Sequence, residues 1–219
     1  VIDQEAKTVI ERHIEKMRQA GHRVEQISLD KNTEFGTFVA PALIEIDDIA
    51  ELEREVFGPV LHVVRYQRQN LDTLVDAINH TGYGLTFGIH SRIDETITHL
   101  SNRIHAGNIY VNRNIVGAVV GVQPFGGQGL SGTGPKAGGP LYLFRLLSQG
   151  NDQLHAPFNP DQPESLTLSL PGPTGETNVY RLVPRGTVLA FAQSEQGFTT
   201  QLHQIGTTGN QALYIDSPD

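Results

Sequence analysis

The chain has 219 residues, of which 38% are apolar and 18% are charged, and it carries a formal net charge of −8. This composition is globular rather than disordered, and an acidic balance without a run of Lys or Arg excludes a nucleic-acid or anionic-membrane surface, since both need a positive patch. The sequence contains no cysteine, which excludes a disulfide scaffold, a thiolate metal site and a thiol nucleophile within these residues.

The sequence shows no membrane or export signal. No apolar stretch reaches the roughly 20 residues that span a bilayer, and the amino terminus lacks the order of basic, apolar and small residues typical of a signal peptide. We therefore expect a cytoplasmic protein without a transmembrane segment, whose partners are small molecules or other protein surfaces. Because the chain opens on Val1 rather than Met and closes on Asp219 soon after a strand-like run, both ends are interpreted as cuts through a longer protein.

Helices and strands alternate along the first part of the chain. Apolar residues recur at helical spacing in three segments, each followed by a glycine that favours a helix end, and strand-like apolar runs lie between them. Pro41 cannot donate a ladder hydrogen bond, which indicates that its strand is an edge strand or is bulged. The alternation predicts an α/β fold, with helices over 3–20, 70–80 and 92–105 and strands over 38–46, 61–66, 85–90 and 109–111.

The composition changes after the last of these strands. Residues 117–139 are rich in glycine and poor in periodicity, and we interpret them as an ordered functional loop. A strand is predicted over 141–147, and the polar, proline-containing stretch 149–165 is typical of a semi-rigid linker. The residues beyond it predict the start of a second α/β unit that is cut short, with strands over 166–170, 188–192 and 212–215 and a helix over 194–205.

The segment 53–60 is the most informative one for chemistry. Glu55 stands just ahead of a rigid Phe-Gly-Pro turn, which can hold its carboxylate still enough to accept hydrogen bonds from two ribose hydroxyls. The Phe57 ring beside it offers an apolar face to a planar heterocycle. These residues predict a grip on a dinucleotide. From composition alone, the alternative is a surface helix that ends in a proline turn, with Glu55 solvated and Phe57 in the core.

A second glycine pattern is a weaker indication. Residues 127–132 match the Gly-x-Gly-x-x-Gly dinucleotide fingerprint. No convincing strand precedes them, and Thr133-Gly134-Pro135 follows instead of a helix, so we assign them to the shape of the loop. Ser131 is not a nucleophile elbow either, because the second glycine of that motif is missing.

The basic side chains indicate no separate site. The nine histidines are scattered without a metal-binding spacing, so no metal site is expected. His13 and His105 lie near helical stripes and are interpreted as interior or boundary residues. Lys136 could bind an anion, but we interpret it as a solvated loop lysine.

Four blocks of sequence, in this order and spacing, closely resemble the carboxy-terminal part of the aldehyde dehydrogenase superfamily. They are Glu-Val-Phe-Gly-Pro-Val at 55–60, Tyr-Gly-Leu-Thr-Phe-Gly at 83–88, Gly-Asn-Ile-Tyr-Val-Asn at 107–112 and Pro-Phe-Gly-Gly at 124–127. The resemblance implies an aldehyde dehydrogenase-like fold. It also implies that Glu55 binds the nicotinamide ribose of NAD, that Phe57 packs against the nicotinamide end, and that Phe125 lines the aldehyde tunnel.

The flanking sequences narrow the resemblance to the glutamate-semialdehyde (Δ1-pyrroline-5-carboxylate) dehydrogenases. They are Asn-Ile-Val-Gly-Ala-Val-Val-Gly-Val-Gln at 114–123 and Ser-Gly-Thr-Gly-Pro-Lys-Ala-Gly-Gly-Pro at 131–140. In that family the loop matching Gly117 and Ala118 anchors the α-carboxylate of the substrate through backbone amides, and a glycine lets consecutive N–H groups converge on an anion. Without the neighbouring motifs, a plain tight turn is the alternative at these two residues.

The resemblance also implies what this chain lacks. The family attacks the aldehyde with a cysteine thiolate and hydrolyses the thioester with water that a glutamate activates, and both residues lie upstream with the Rossmann domain. We therefore assign no catalytic residue here and expect the isolated chain to be inactive. Residues 1–148 carry the dehydrogenase resemblance. Residues 166–219 are similar to the start of the extra, non-catalytic carboxy-terminal domain of long bacterial proline-utilisation (PutA) proteins, through the motif cluster at 170–178.

Those long proteins place an FAD-dependent proline dehydrogenase domain upstream in the same polypeptide and pass the intermediate internally. The resemblance therefore implies an NAD-dependent enzyme of proline catabolism, a homo-oligomer that oxidises a small-molecule substrate, glutamate semialdehyde, to glutamate. Two alternatives stay open. One is a dehydrogenase for another acidic aldehyde, and the other is a non-catalytic assembly or lid module, given the missing cysteine.

Overall fold

The computed structural model describes residues 1–120, 122–132, 134–139, 142–147 and 167–214. They belong to two compact units. The first is Val1–Arg113 with Gln128–Ser131, and the second is Asn114–Gly127 with Gly132–Asp219. Each unit combines helices with strands, so the predicted α/β class is confirmed.

A helix packed on a three-stranded sheet opens the first unit. Helix α1 (Gln4–Gln19) begins at Asp3, whose carboxylate accepts the Ala6 N–H at 2.8 Å, and ends before Gly21, where φ is +91°. Strand β2 (Ala42–Ile46) lies between β1 (Arg23–Gln26) and β3 (Val60–Val64), antiparallel to the first and parallel to the second. The apolar face of α1 packs on the sheet in a core of Ile10, Ile14, Met17, Val39, Ala42, Ile44 and Ile46.

A β-α-β arrangement forms the rest of the first unit. Helix α2 (Leu71–His80) leads into β4 (Tyr83–Gly84) and β5 (Thr86–Ile89), and helix α3 (Asp94–Arg103) connects β5 to its parallel neighbour β6 (Asn108–Val111). Strand β7 (Gln128–Gly129) pairs antiparallel with β4. The buried side chains of this region form a second core, made of Val75, Ile89, Leu100, Ile104 and Ala106. Short 3-10 helices occupy the connections at Lys31–Phe35, Ile49–Glu51 and Arg68–Asn70.

In the described part of the second unit, the strands form two pairs. Strand β8 (Thr167–Leu170) pairs antiparallel with β9 (Asn178–Arg181), and β10 (Thr187–Leu189) pairs parallel with β11 (Gln211–Leu213) through helix α4 (Glu195–Thr207). Ahead of them, Phe125 and Ala137 form an isolated antiparallel bridge, and Leu143–Leu146 is a 3-10 helix. Across the described ranges, no helix combines the length and the apolar character that crossing a membrane requires.

The three helices predicted in the first part of the chain are confirmed, but several strand predictions need correction. Strand β2 is central rather than an edge, because Pro41 lies just outside it and leaves both of its sides able to pair. The strand predicted over 141–147 is a 3-10 helix in its described part, since a short apolar run fits either state. Strand β1 escapes prediction because its sequence is largely polar and exposed, and β9 escapes it because its two apolar residues, Val179 and Tyr180, are flanked by polar ones. The predicted linker over 149–165 lies outside the described residues and stays a prediction.

Gly84 of β4 packs against the backbone of His105 and Ala106. A Cβ there would overlap the His105 carbonyl oxygen and lie 3.3 Å from the Ala106 Cα. We expect Gly84→Ala to lower the free energy of unfolding by about 1–3 kcal/mol, because a packed backbone gives way less readily than a side chain. A urea titration measures the change.

The matched control is Gly206→Ala in α4, where a Cβ would meet no described atom within 4 Å. This control should stabilise the helix by up to about 1 kcal/mol, since alanine has less conformational freedom to lose than glycine. Equal stability of Gly84→Ala and the wild type would contradict the prediction.

Candidate functional site

The turn at residues 55–60 is held between α1 and the sheet. Gly58 lies so close to Ile10 of α1 that a Cβ there would overlap the Ile10 side chain, which is buried. On the opposite side, the Pro59 carbonyl accepts the Ala42 N–H at 2.9 Å, so the turn passes directly into the paired strands β2 and β3. The backbone of the turn is therefore fixed, although several of its side chains reach solvent.

Glu55 and Phe57 line one cavity of about 340 Å³, a size typical of small-ligand sites. Phe57 is 85% exposed, so the alternative that placed its ring in the core is wrong, and Glu55 is exposed as well. The other lining residues come from the start of α1 and from the turn itself: Asp3, Glu5, Ala6, Val9, Ile10, His13, Arg54 and Val56. The cavity thus combines three carboxylate residues, Arg54 and His13 with the exposed aromatic face of Phe57.

His13 lines this cavity and forms a hydrogen-bonded pair with His62 of β3. Their Nε2 atoms are 2.8 Å apart, so one ring must donate and the other accept, which requires at least one neutral ring. Partial burial lowers the pKa of both rings, and the positive charges of Lys16 and Arg54 lower the pKa of His13 further. The half-buried position of His13 confirms its predicted boundary role. His105 is exposed, so the corresponding prediction for it is wrong.

Gly117 and Ala118 lie in a loop of the second unit that folds back on itself just after them. The Val119 N–H donates to Oε1 of Gln123, and the Gln123 N–H donates to the Val119 carbonyl, both at 2.9 Å. The N–H groups of Gly117 and Ala118 donate to no other described residue, and a Cβ at Gly117 would meet no described atom within 4 Å. Adjacent donors beside open space are what an anion-binding loop requires.

Phe125 is held by its pairing with the segment around Lys136. Phe125 and Ala137 exchange backbone hydrogen bonds of 3.0 and 2.9 Å, and Lys136 Nζ donates to the Gly126 carbonyl at 3.1 Å. A Cβ at Gly126 would lie 3.3 Å from the Lys136 Cα, so the glycine admits the lysine stem. Lys136 is half-buried instead of solvated, which corrects the sequence interpretation, and burial lowers its pKa to about 8.

Gln123 is a polar residue near the site that sequence reasoning missed. Only 8% of it is exposed, and its side-chain amide contacts Glu176 and Asn178. A single glutamine in a loop gives no sequence signal of this kind, because its partners lie 53 and 55 positions away.

His22, Asp47 and Glu51 bring together possible metal ligands that no sequence spacing indicated. Glu51 Oε1 accepts the N–H groups of Asp47 and Asp48 at 2.9 Å, and its Oε2 lies 2.7 Å from His22 Nε2. These contacts are those of a helix capping box with an adjacent ion pair. The expectation that the chain holds no metal stays a prediction.

The predicted site residues fall into two groups. Glu55 and Phe57 share the cavity of the first unit, while Gly117, Ala118 and Phe125 belong to the second unit. The glycine stretch at 127–132 supplies strand β7 and, through the Ser131 hydroxyl, an acceptor for the Gly84 N–H at 3.1 Å. Its assignment to loop shape agrees with these contacts.

Comparison with known protein sequences gives one consistent family. The profile described as "Aldehyde dehydrogenase family" matches residues 1–149. The bifunctional protein PutA of Rhizobium meliloti is 51% identical over 99% of the chain and 20% of its own length, and that of Escherichia coli K12 is 50% identical over the same shares. The 1-pyrroline-5-carboxylate dehydrogenase of Geobacillus thermodenitrificans is 38% identical over 66% of the chain and 28% of its own length. The chain spans about a fifth of the length of the PutA relatives it matches.

Solved structures show the same likeness. A crystal structure of a Bradyrhizobium japonicum proline utilization A (PutA) variant matches with a TM-score of 0.61 and 55% identity, over 65% of this chain and 14% of that one. A Thermus 1-pyrroline-5-carboxylate dehydrogenase with bound NAD matches with a TM-score of 0.54 and 35% identity, over 64% of this chain and 27% of that one. The likeness in fold is therefore accompanied by likeness in sequence.

The histidine pair predicts a stability that depends on pH. In the unfolded chain, each ring is protonated near its ordinary pKa of about 6.5. In the folded chain, the pKa of each ring is lowered, so protonation of the rings requires a lower pH. The unfolded state then binds more protons, so the free energy of unfolding falls as the pH falls through that value. We expect His62→Gln, which keeps a hydrogen-bonding amide but does not titrate, to weaken this dependence.

Urea midpoints measured across this pH range check the prediction. His80→Gln, at an exposed position of α2, is the matched control and should keep the wild-type dependence. The same pH dependence in His62→Gln as in the wild type would contradict the role of the pair.

Proposed function

Because the chain belongs to the aldehyde dehydrogenase family, we propose that it forms one wall of the active site of an NAD-dependent glutamate-semialdehyde dehydrogenase, within a longer protein of the proline-utilisation type. The observation that carries the proposal is an exposed carboxylate and an exposed aromatic ring lining one cavity on a turn with a fixed backbone. The identity to PutA over 99% of the chain supports the substrate class.

In this proposal Glu55 and Phe57 hold the nicotinamide end of NAD, which accepts the hydride released by aldehyde oxidation. The Glu55 carboxylate accepts hydrogen bonds from the two ribose hydroxyls, and the Phe57 ring packs on the nicotinamide face. Both side chains sit on a turn seated against Ile10. Their backbone is therefore ordered before the nucleotide binds, which reduces the entropy cost of binding.

Gly117 and Ala118 bind the α-carboxylate of the aldehyde, and Phe125 forms an apolar wall for its chain. The support is the pair of N–H groups that donate to no other described residue. Backbone donors give selectivity for an acid tail, because an aldehyde without one leaves them without a partner in the closed site.

The other parts of the reaction come from outside these residues in our proposal. An upstream cysteine supplies the nucleophile, and an upstream proline dehydrogenase domain binds FAD in the same polypeptide, a cytoplasmic homo-oligomer. The division into a dehydrogenase part at 1–148, a linker at 149–165 and an additional domain at 166–219 is supported by the family match, which ends at residue 149.

Glu55→Gln in the complete protein tests the nucleotide grip. An amide is a weaker acceptor than a carboxylate, so we expect the KM for NAD to rise about tenfold while the KM for glutamate semialdehyde stays within about twofold. Steady-state kinetics with each substrate varied in turn measure both.

Glu53→Gln, at an exposed position two residues before, is the matched control and should leave both constants unchanged. Equal KM values for NAD in the two variants would contradict the assignment of Glu55. The isolated 219-residue chain should show no turnover, because it holds no cysteine. Turnover by this chain alone would overturn the proposal.

Gly117→Val tests the acid-binding loop. A Cβ at this position meets no described atom within 4 Å, so we expect the fold to tolerate the substitution, while a bound carboxylate should not. We expect the KM for glutamate semialdehyde to rise about tenfold and the KM for uncharged propanal to change by less than about twofold. Equal changes for the two aldehydes would contradict the assignment. A wild-type preference for succinate semialdehyde over glutamate semialdehyde would favour another acidic aldehyde as the substrate.

A further inference from the structure

The buried side-chain amide of Gln123 forms hydrogen bonds with two different segments of the chain. Its Oε1 accepts the Val119 N–H at 2.9 Å, while its Nε2 donates to Asn178 Oδ1 at 3.1 Å and to Glu176 Oε1 at 3.3 Å. Only 8% of the residue is exposed. A buried amide that is satisfied in this way stabilises one arrangement of its neighbours, because another arrangement leaves buried polar groups without partners.

The bond to the first segment closes the loop that follows Ala118. The Val119 carbonyl accepts the N–H groups of Val122 at 3.1 Å and of Gln123 at 2.9 Å, so the chain turns tightly and the Gln123 side chain bonds back to the start of the turn. Fixing the Val119 N–H fixes the peptide plane between Ala118 and Val119. The backbone torsion angles beside the two anion-binding N–H groups are therefore restricted.

The second segment is the turn at residues 171–178. Asn178 also donates from Nδ2 to the Pro171 carbonyl at 3.4 Å. A Cβ at Gly172 would overlap that same amide group, so a side chain at position 172 would require Asn178 to shift. The dehydrogenase chemistry proposed above gives this turn no role.

We propose that Gln123 is a positioning residue for the carboxylate of the aldehyde. It ties the loop that carries Gly117 and Ala118 to the turn at 171–178, and so holds the two N–H groups in the orientation that binds the anion. This inference rests on the proposed function and deepens it, since it makes a distant turn part of the support of the substrate loop.

Gln123→Glu in the complete protein tests the tie by a charge change. The new carboxylate lies beside that of Glu176, and two like charges at this separation repel. We expect the KM for glutamate semialdehyde to rise about tenfold, with kcat and the KM for NAD within about twofold, because loss of binding shared by ground state and transition state raises KM alone.

Adding Glu176→Gln to this variant removes the repulsion and supplies a donor to the new carboxylate. We expect the double variant to return to within about threefold of the wild-type KM, as coupled neighbours do in a double-mutant cycle. Gln196→Glu makes the same charge change at an exposed position of α4 and should leave all constants unchanged. Failure of Glu176→Gln to reverse the effect would overturn the inference.

Amide hydrogen exchange tests the hydrogen bonds of Gln123 without a measurement of enzyme activity. The peptide covering residues 114–123 should exchange faster in Gln123→Glu, because repulsion from Glu176 moves the new carboxylate away from the Val119 N–H, and should slow again in the double variant. A wild-type protein without glutamate-semialdehyde activity would overturn the proposed function and leave this readout standing. Unchanged exchange together with an unchanged KM would overturn the role of Gln123.

A milder variant covers the case in which Gln123→Glu does not fold. Asn178→Ala removes one partner of the Gln123 amide and leaves Glu176 in place. It should raise the KM for glutamate semialdehyde by a smaller factor and speed exchange of the same peptide. Wild-type values for both would count against the tie.

Discussion

Glycine at position 58 lets the turn that carries Glu55 and Phe57 come into contact with the buried Ile10 side chain, and the candidate nucleotide site depends on this contact. Helix α1 is itself fixed by its apolar face on the central strand β2. The turn then enters the ladder through the bond from the Ala42 N–H to the Pro59 carbonyl. The positions of the exposed Glu55 and Phe57 side chains therefore depend on the core that contains Ile10.

The second unit holds the loop that carries Gly117 and Ala118 by a different kind of interaction. Here the fixed points are polar: the Gln123 amide among backbone and side-chain partners, and the Lys136 ammonium group on the Gly126 carbonyl. Burial makes a polar group costly to leave without a partner, and it also lowers the pKa of Lys136. Apolar packing tolerates small shifts, whereas a buried hydrogen bond specifies direction, and direction is what backbone donors aimed at an anion require.

In the proposed function, the chain contributes binding and orientation, and bond making is assigned to residues outside it. This division is consistent with a chain that spans about a fifth of its PutA relatives. Groups that bind the nucleotide and the carboxylate of the aldehyde hold the ground state and the transition state alike. Their effects are accordingly expected in Michaelis constants more than in the chemical step.

Local sequence by itself determined the alternation of helices and strands, because apolar spacing along one segment reports which face of that segment is buried. It also predicted Glu55, Phe57 and Gly117 as site residues, since each stands in a short motif whose backbone demands are local, and these assignments stay predictions. Only the tertiary structure decided that β2 is central, that Lys136 is half-buried, that His13 meets His62, and that Gln123 reaches Asn178. These features depend on residues that are far apart along the chain. A polar contact contributes strongly to stability only when it is buried, and that burial arises only when those residues pack together.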